Sequence, residues 1–269
     1  MKRSPSPNAV PKAALLVSHR CLPHCHALRF ARWRGAYRRC LTQAVRAARP
    51  LQVLDYLLTR DSVHVLLTPA HPDLSTAFMQ CLQGRSAVLF KPRFTAPGPI
   101  WHGRHSITLV QTGQPLLQVA LAMDLHMCTT GRVRHPAEWR DAGWQELSGT
   151  RASYRVINPD RARDRLRCER TSAATSADGY IALTEECLRL GHHGNLPLLA
   201  SALAVGEKAW VLHLAASIPE SRRAVRSIAP ENIPIPTDNL AMLCVARRDH
   251  RHYITRFARL SARGERTQA

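Results

Sequence analysis

The sequence predicts an α+β fold, an antiparallel sheet with helices packed on it, followed by a mainly helical C-terminal extension. Three observations lead there. Short apolar runs of strand character recur at residues 13–17, 51–59, 62–68 and 106–110. Segments with apolar residues at helical spacing alternate with them, in the order strand, helix, strand, strand, helix, strand, helix. The second and third strands are parted only by Arg60-Asp61, a hairpin-like spacing that makes those neighbours antiparallel.

Each element has a local reason. Residues 31–48 carry Trp33, Ala36, Tyr37, Cys40, Leu41, Ala44 and Val45 at helical spacing, and Pro50 closes that helix. Pro69 and Pro72 break the chain after the hairpin, and Asp73 or Ser75 is placed to cap a helix running to about Gln83. Three prolines and two glycines make residues 91–103 a loop. Pro115 suits the first turn of a helix reaching Met127. Past Asp160 comes an Arg-rich charge cluster, then a Ser/Thr/Ala-rich stretch, then helices expected at 180–190, 196–203 and 207–216. The expected organisation is a disordered basic tip at 1–12, a first domain at 13–150, a linker at 151–178, a helical region at 179–246 and a basic tail at 247–269.

Charge narrows the choice of partner. Of 269 residues 38 are Lys or Arg and only 19 are Asp or Glu, a formal net charge of +19 that self-repels unless a polyanion neutralises it. Arginine, which supplies nearly all of the excess, suits bidentate phosphate contact. Nucleic acid is therefore the first partner to consider. No stretch approaches the ~20 apolar residues of a membrane span, so a cytoplasmic protein without a membrane partner is expected. The eight cysteines form no framework, as suits reduced thiols. One tight cluster, Cys21-Leu-Pro-His24-Cys25-His26, has zinc-type ligands but no second pair at finger spacing.

The motif-bearing segment is Tyr56-Leu-Leu-Thr-Arg-Asp-Ser-Val-His64-Val-Leu. It is followed by Leu74-Ser-Thr-Ala-Phe78, Gly98-Pro-Ile-Trp101-His-Gly103-Arg104, Leu116-Leu117 with Asp124-Leu125, His135-Pro-Ala-Glu-Trp139 and Trp144 to Gly149. In this order and spacing they resemble the REP-associated tyrosine transposases, single-tyrosine members of the HUH superfamily, over residues 13 to about 149. A weaker echo follows at Val205 to Val211. The resemblance implies an HUH, ferredoxin-like transposase domain that acts on single-stranded, hairpin-forming DNA, with a divalent metal (Mg or Mn) as cofactor. Two imidazoles two apart share one face of a strand; such a pair holds the ion that polarises the scissile phosphate, and a helical Tyr attacks it.

This chain departs from that pattern twice. The first His position is Ser62, leaving His64, and the nucleophile position is Ala122. His126, one helical turn on, stands where the family places an auxiliary ligand, so His64 and His126 are the candidate metal ligands, with Ser62 or Asp61 nearby. Trp101, Arg104, Lys91 and Arg93 are the candidate nucleic-acid contacts, through base stacking and phosphate pairing. The expected function is transposase-like DNA binding with strand transfer lost. An active metal-dependent nickase using another nucleophile and an RNA-binding protein are the alternatives, and a homodimer is compatible with each.

Overall fold

The sheet grows outward from β1 (Ala13–Arg20), whose residues are buried on both sides, so its apolar run is nearly continuous rather than alternating. The structure, a computed structural model, describes residues 13–22, 25–48, 50–68, 72–91, 99–152, 155–168, 176–246, 249–250 and 252–257. On one side β1 pairs antiparallel with β3 (Ser62–Thr68), which pairs antiparallel with β2 (Gln52–Leu58). On the other it pairs antiparallel with β4 (Ser106–Gln111). The antiparallel sheet with packed helices is thus present as the sequence implied.

Successive residues of a strand point to opposite faces, and Ser18 and His19 divide the helices accordingly. On the His19 side lie α1 (Ala31–Ala47) and α2 (Pro72–Phe90). Tyr37 and Trp33 of α1 both meet Phe90 of α2, at 6.2 Å between centroids. That aromatic anchor explains why α2 runs past Gln83. Gly84 has only open space around it, so the helix passes through at a cost of about 1 kcal/mol, which burial of Phe90 offsets. On the Ser18 side lies α3 (Gln114–Thr129), buried at every position from Pro115 to Leu125.

β2 is an edge strand, and its open side is covered. Gly143 N–H donates to the Tyr56 carbonyl at 2.7 Å, Leu58 N–H to that of Asp141 at 2.9 Å, and the Trp139 indole to that of Leu58 at 3.0 Å. The covering segment is fixed from α1, where buried Arg34 donates to Asp141 at 2.7 Å and lies 4.5 Å over the Trp139 ring. It leads into a single turn, α4 (Trp144–Leu147), whose Glu146 is fully buried. Glu146 accepts from the Tyr56 hydroxyl at 2.7 Å and from the backbone N–H groups of Val156 and Ile157 at 2.8 Å. A buried carboxylate with that many donors fixes a loop.

The region after Asp160 carries the three expected helices, α6 (Ala177–Arg189), α7 (Leu196–Ser201) and α8 (Lys208–Ala215), and a further one, α5 (Pro159–Leu166), inside the stretch expected to be a linker. It also adds three strands that the sequence reading did not anticipate. β5 (Ala204–Glu207) pairs parallel with β4, β7 (Leu240–Val245) antiparallel with β5, and β6 (Arg223–Ser227) antiparallel with β7. The result is one seven-stranded sheet in the order β2-β3-β1-β4-β5-β7-β6. Residues 153–154 and 169–175 of the expected linker (151–178) and most of the basic tail lie outside the described residues. Of the tail, the helical residues 252–257 bury Tyr253, Ile254 and Phe257. Among the described residues no helix is long and apolar enough to cross a membrane.

The edge cover gives a test. A Cβ on Gly143 would sit 2.1 Å from Asp55 Oδ1 and 3.0 Å from the Tyr56 backbone nitrogen. Gly143→Ala therefore pushes the segment off β2 and costs about 2–4 kcal/mol, read as a lowered midpoint in chemical denaturation.

Candidate functional site

Ser62 and His64 stand two apart on β3 and face the same side. His64 pairs across the sheet with Ser18 of β1 and Leu57 of β2. Ser18 Oγ lies 2.8 Å from His64 Nδ1, within hydrogen-bond distance. From above, α3 brings His126 to His64, with ring centroids 6.3 Å apart and planes at 61°. Two imidazoles far apart in sequence are thus brought together. Asp61 lies at the rim, in the hairpin turn. Its Oδ1 accepts from the hydroxyls of Ser62 at 2.7 Å and Thr59 at 3.0 Å, and its Oδ2 is ion-paired with exposed Arg20 at 2.8 Å.

The electrostatics follow from this packing. Burial drives the His64 pKa down to about 3, the His126 ring adds to the effect, and Asp61 opposes it. His126 is also lowered by burial. Burial works against ionisation of Asp61, but the Ser62 and Thr59 hydroxyls and the Arg20 guanidinium outweigh it, so its carboxyl lies below the usual range. At neutral pH the site is therefore two neutral imidazoles beside one anion.

Ala122, one turn before His126, is fully buried. What covers it is the chain's own C-terminal region. Gly194, at φ +71°, lies so close that a Cβ there would meet the Ala122 methyl at 3.0 Å and Pro234 Cδ at 2.8 Å. The cover is pinned to α3 through Gln118, whose amide Oε1 accepts from Ile235 N–H at 2.9 Å while its Nε2 donates to the Ile235 carbonyl. Asn195 and Asn232 close the strap with a 2.9 Å backbone bond and a 3.2 Å side-chain bond. His192 and His193 lie in the turn between Gly191 and Gly194, both at positive φ.

Beside this face lies a buried acid cluster that sequence reasoning missed. Asp55 of β2 and Asp124 of α3 are both buried, and each keeps one carboxyl oxygen without a hydrogen-bond partner. Burial pushes Asp124 up to about 7, against hydrogen bonds from the Tyr180 hydroxyl, at 2.7 Å, and the Trp144 backbone. Burial and then the Asp124 charge push Asp55 well above the carboxylate range. Asp124 had been visible only as a match to a helix signature, and a lone Asp in an apolar run carries no sign of its partner.

The expected nucleic-acid contacts separate. Trp101 is corrected: it is buried, stacked on His19 at 4.6 Å and edge-on to Tyr37 at 5.7 Å, and has no free face for a base. Its loop ring fills the space between β1 and α1. Arg104 and Lys91 are exposed. Arg93 lies outside the described residues, as does His24 of the Cys21–His26 cluster. All eight cysteines are free thiols.

The divalent metal that the resemblance implies would meet this donor set. Mg and Mn prefer several oxygen ligands. Here there are two imidazoles, one already engaged by Ser18, and among the described residues no group of three or more His, Cys, Asp or Glu is placed to hold an ion. The residues present do not fit that cofactor.

No family model matches the chain, and no curated protein matches it. Among solved structures it is similar to a REP-associated tyrosine transposase bound to a REP hairpin, at 11% identity and TM-score 0.43, over 58% of this chain and 88% of that chain.

His64 makes the site sensitive to acid. An imidazole in the unfolded chain takes a proton near pH 6.5, whereas the buried one stays neutral down to about pH 3. Between those values the unfolded state binds the extra proton, so stability falls as pH drops. In His64→Asn the stability lost between pH 7 and pH 5 shrinks by about 2 kcal/mol, measured by urea denaturation at both pH values.

Proposed function

We propose that this chain binds DNA, chiefly folded single strands of hairpin type, and that it has lost strand-transfer chemistry. The observation that carries the reading is Ala122. At the position where the sequence resemblance puts the nucleophile stands a fully buried methyl, closed over by Gly194 and Pro234. A methyl forms no covalent link to phosphate, and no substrate reaches it there. The net charge of +19 supports the binding half of the reading, because phosphate contact needs neither the lost Tyr nor the lost His.

One observation favours a second reading. His64 and His126 are neighbours, and an activated water at that pair would make the protein a nickase with no Tyr. A titration of labelled single-stranded hairpins, with and without Mn²⁺, separates the two. Binding that weakens steeply with salt and leaves no cut product supports a DNA-binding protein. A cut product abolished by His64→Ala transfers the assignment to the nickase, and absence of binding at moderate salt removes both.

The cover on Ala122 yields a sharper expectation. Ala122→Tyr does not regain cleavage, because the ring has to displace Gly194 and Pro234. Overpacking of this kind costs about 1–3 kcal/mol. A covalent protein–DNA product from that variant, visible as a shifted band in a denaturing gel, contradicts the reading.

A further inference from the structure

We infer that the outward face of α1 is the surface that receives the DNA sugar–phosphate backbone, with Phe30 at its start as a platform for an unpaired base. This rests on the DNA-binding reading above and assigns that binding to a surface.

The helix has five arginines and no acidic residue. Two of the five turn inward: Arg34 and Arg38 both pair with Asp141. The other three, Arg32, Arg39 and Arg46, are exposed and seven residues apart. Seven residues fall about 20° short of two full turns, so the three lie on one slowly drifting stripe at intervals of about 10.5 Å. Exposed Gln43, between the last two, accepts from Arg85 of α2 at 2.7 Å and draws a fourth guanidinium to the stripe. Arg29 is exposed just ahead of it. Among the described residues Arg29, Arg32, Arg39, Arg46 and Arg85 take part in no ion pair.

A solvated helix face ordinarily intersperses charges of both signs. This one does not, and a polyanion relieves the repulsion. Guanidinium forks match phosphate oxygens in pairs, so a strand laid along α1 meets a row of them.

The start of the helix adds a different chemistry. Phe30 is 51% exposed, the one large aromatic residue so placed among the described residues. The Arg32 guanidinium lies 5.8 Å from its ring centroid and 5.4 Å from that of Trp33. Lys91 follows Phe90, which packs on Trp33 and Tyr37, so its exposed ammonium belongs to this same end. A half-exposed ring with the Arg32 guanidinium beside it suits an unpaired base whose phosphates need neutralising. A blunt duplex offers no such base. The surface lies across the sheet from His64 and His126, so it is independent of that site.

The test uses the full-length protein and a fluorescent DNA hairpin with a single-stranded overhang, titrated at several salt concentrations. The triple variant Arg32→Gln, Arg39→Gln, Arg46→Gln is compared with Arg161→Gln, Arg165→Gln, Arg167→Gln, which removes the same charge from exposed positions in and beside α5. Each single-stranded phosphate contact contributes about 0.7 to the log–log salt slope. The ridge variant is therefore expected to lower that slope by about 2, while the control leaves it unchanged. Phe30→Ala is expected to weaken the overhang hairpin about tenfold and to leave a blunt duplex unaffected. Gln is close to Arg in helix propensity, and unchanged thermal melts confirm that folding is intact. Equal losses from the two triples overturn the α1 assignment and leave DNA binding standing. Failure of the unaltered protein to bind any DNA removes the underlying reading instead. Tighter binding of the same sequence as RNA overturns the choice of partner.

Discussion

α3 has no solvent-facing side along most of its length, and the rest of the structure answers to that. A helix buried all round needs apolar partners on every flank and a hydrogen-bond partner for each polar atom it carries inward. The sheet supplies one flank. The opposite flank comes from Gly194, Pro234 and Ile235, of which Ile235 is 117 residues from its partner Gln118. Gln118 and Asp124, its buried polar side chains, are met by Ile235 and Tyr180 respectively, both from beyond residue 176. The C-terminal strands continue the same sheet that α3 packs on, so the two halves of the chain share a core.

Burial of α3 also sorts the charges. Asp55, Asp124, Asp141 and Glu146 are buried, four of only 19 acidic residues. Burial holds Asp55 and Asp124 toward their neutral forms. Glu146 is held by two backbone N–H groups, the Tyr56 hydroxyl and Arg151 at 3.5 Å. Carboxylates withdrawn into the core no longer screen the exterior, and the surface is more unevenly positive than the formal charge implies. The neutral imidazoles of His19, pushed down to about 4 by burial, and His64 contribute nothing to that surface near pH 7.

Much of this was legible in the sequence, and the parts that were not have physical reasons. The N-terminal strands and α1 announced themselves through periodicity. The nearness of His64 and His126 was legible only through the family resemblance, which put one on a strand and the other on the facing helix. The last three strands were hidden for another reason. Ala204–Glu207 is four residues long, and the apolar run Leu240–Val245 fits a buried helix turn as well as a strand until its partner is known. Trp101 misled because a loop Trp reads as exposed, whereas its burial is set by His19 and Tyr37, which are far from it in sequence. The arginines of α1 were legible as an amphipathic face. Which of them are neutralised depended on Asp141, which only the covering of the β2 edge brings to Arg34 and Arg38.

The two faces of the sheet can therefore diverge independently. On one, strand-transfer chemistry of the kind the sequence resemblance implies would need a nucleophile and a full ligand set in one place. The Ala122 methyl admits a close approach of Gly194 that a phenol ring forbids. On the other, an arginine row works by additive electrostatics, in which each contact contributes a share and none is indispensable. A site of the first kind fails all at once, and a surface of the second kind degrades slowly. Under the proposed reading, DNA binding through the arginine face of α1 asks nothing of the histidine pair, because the two lie on opposite faces of the sheet and rest on different physics.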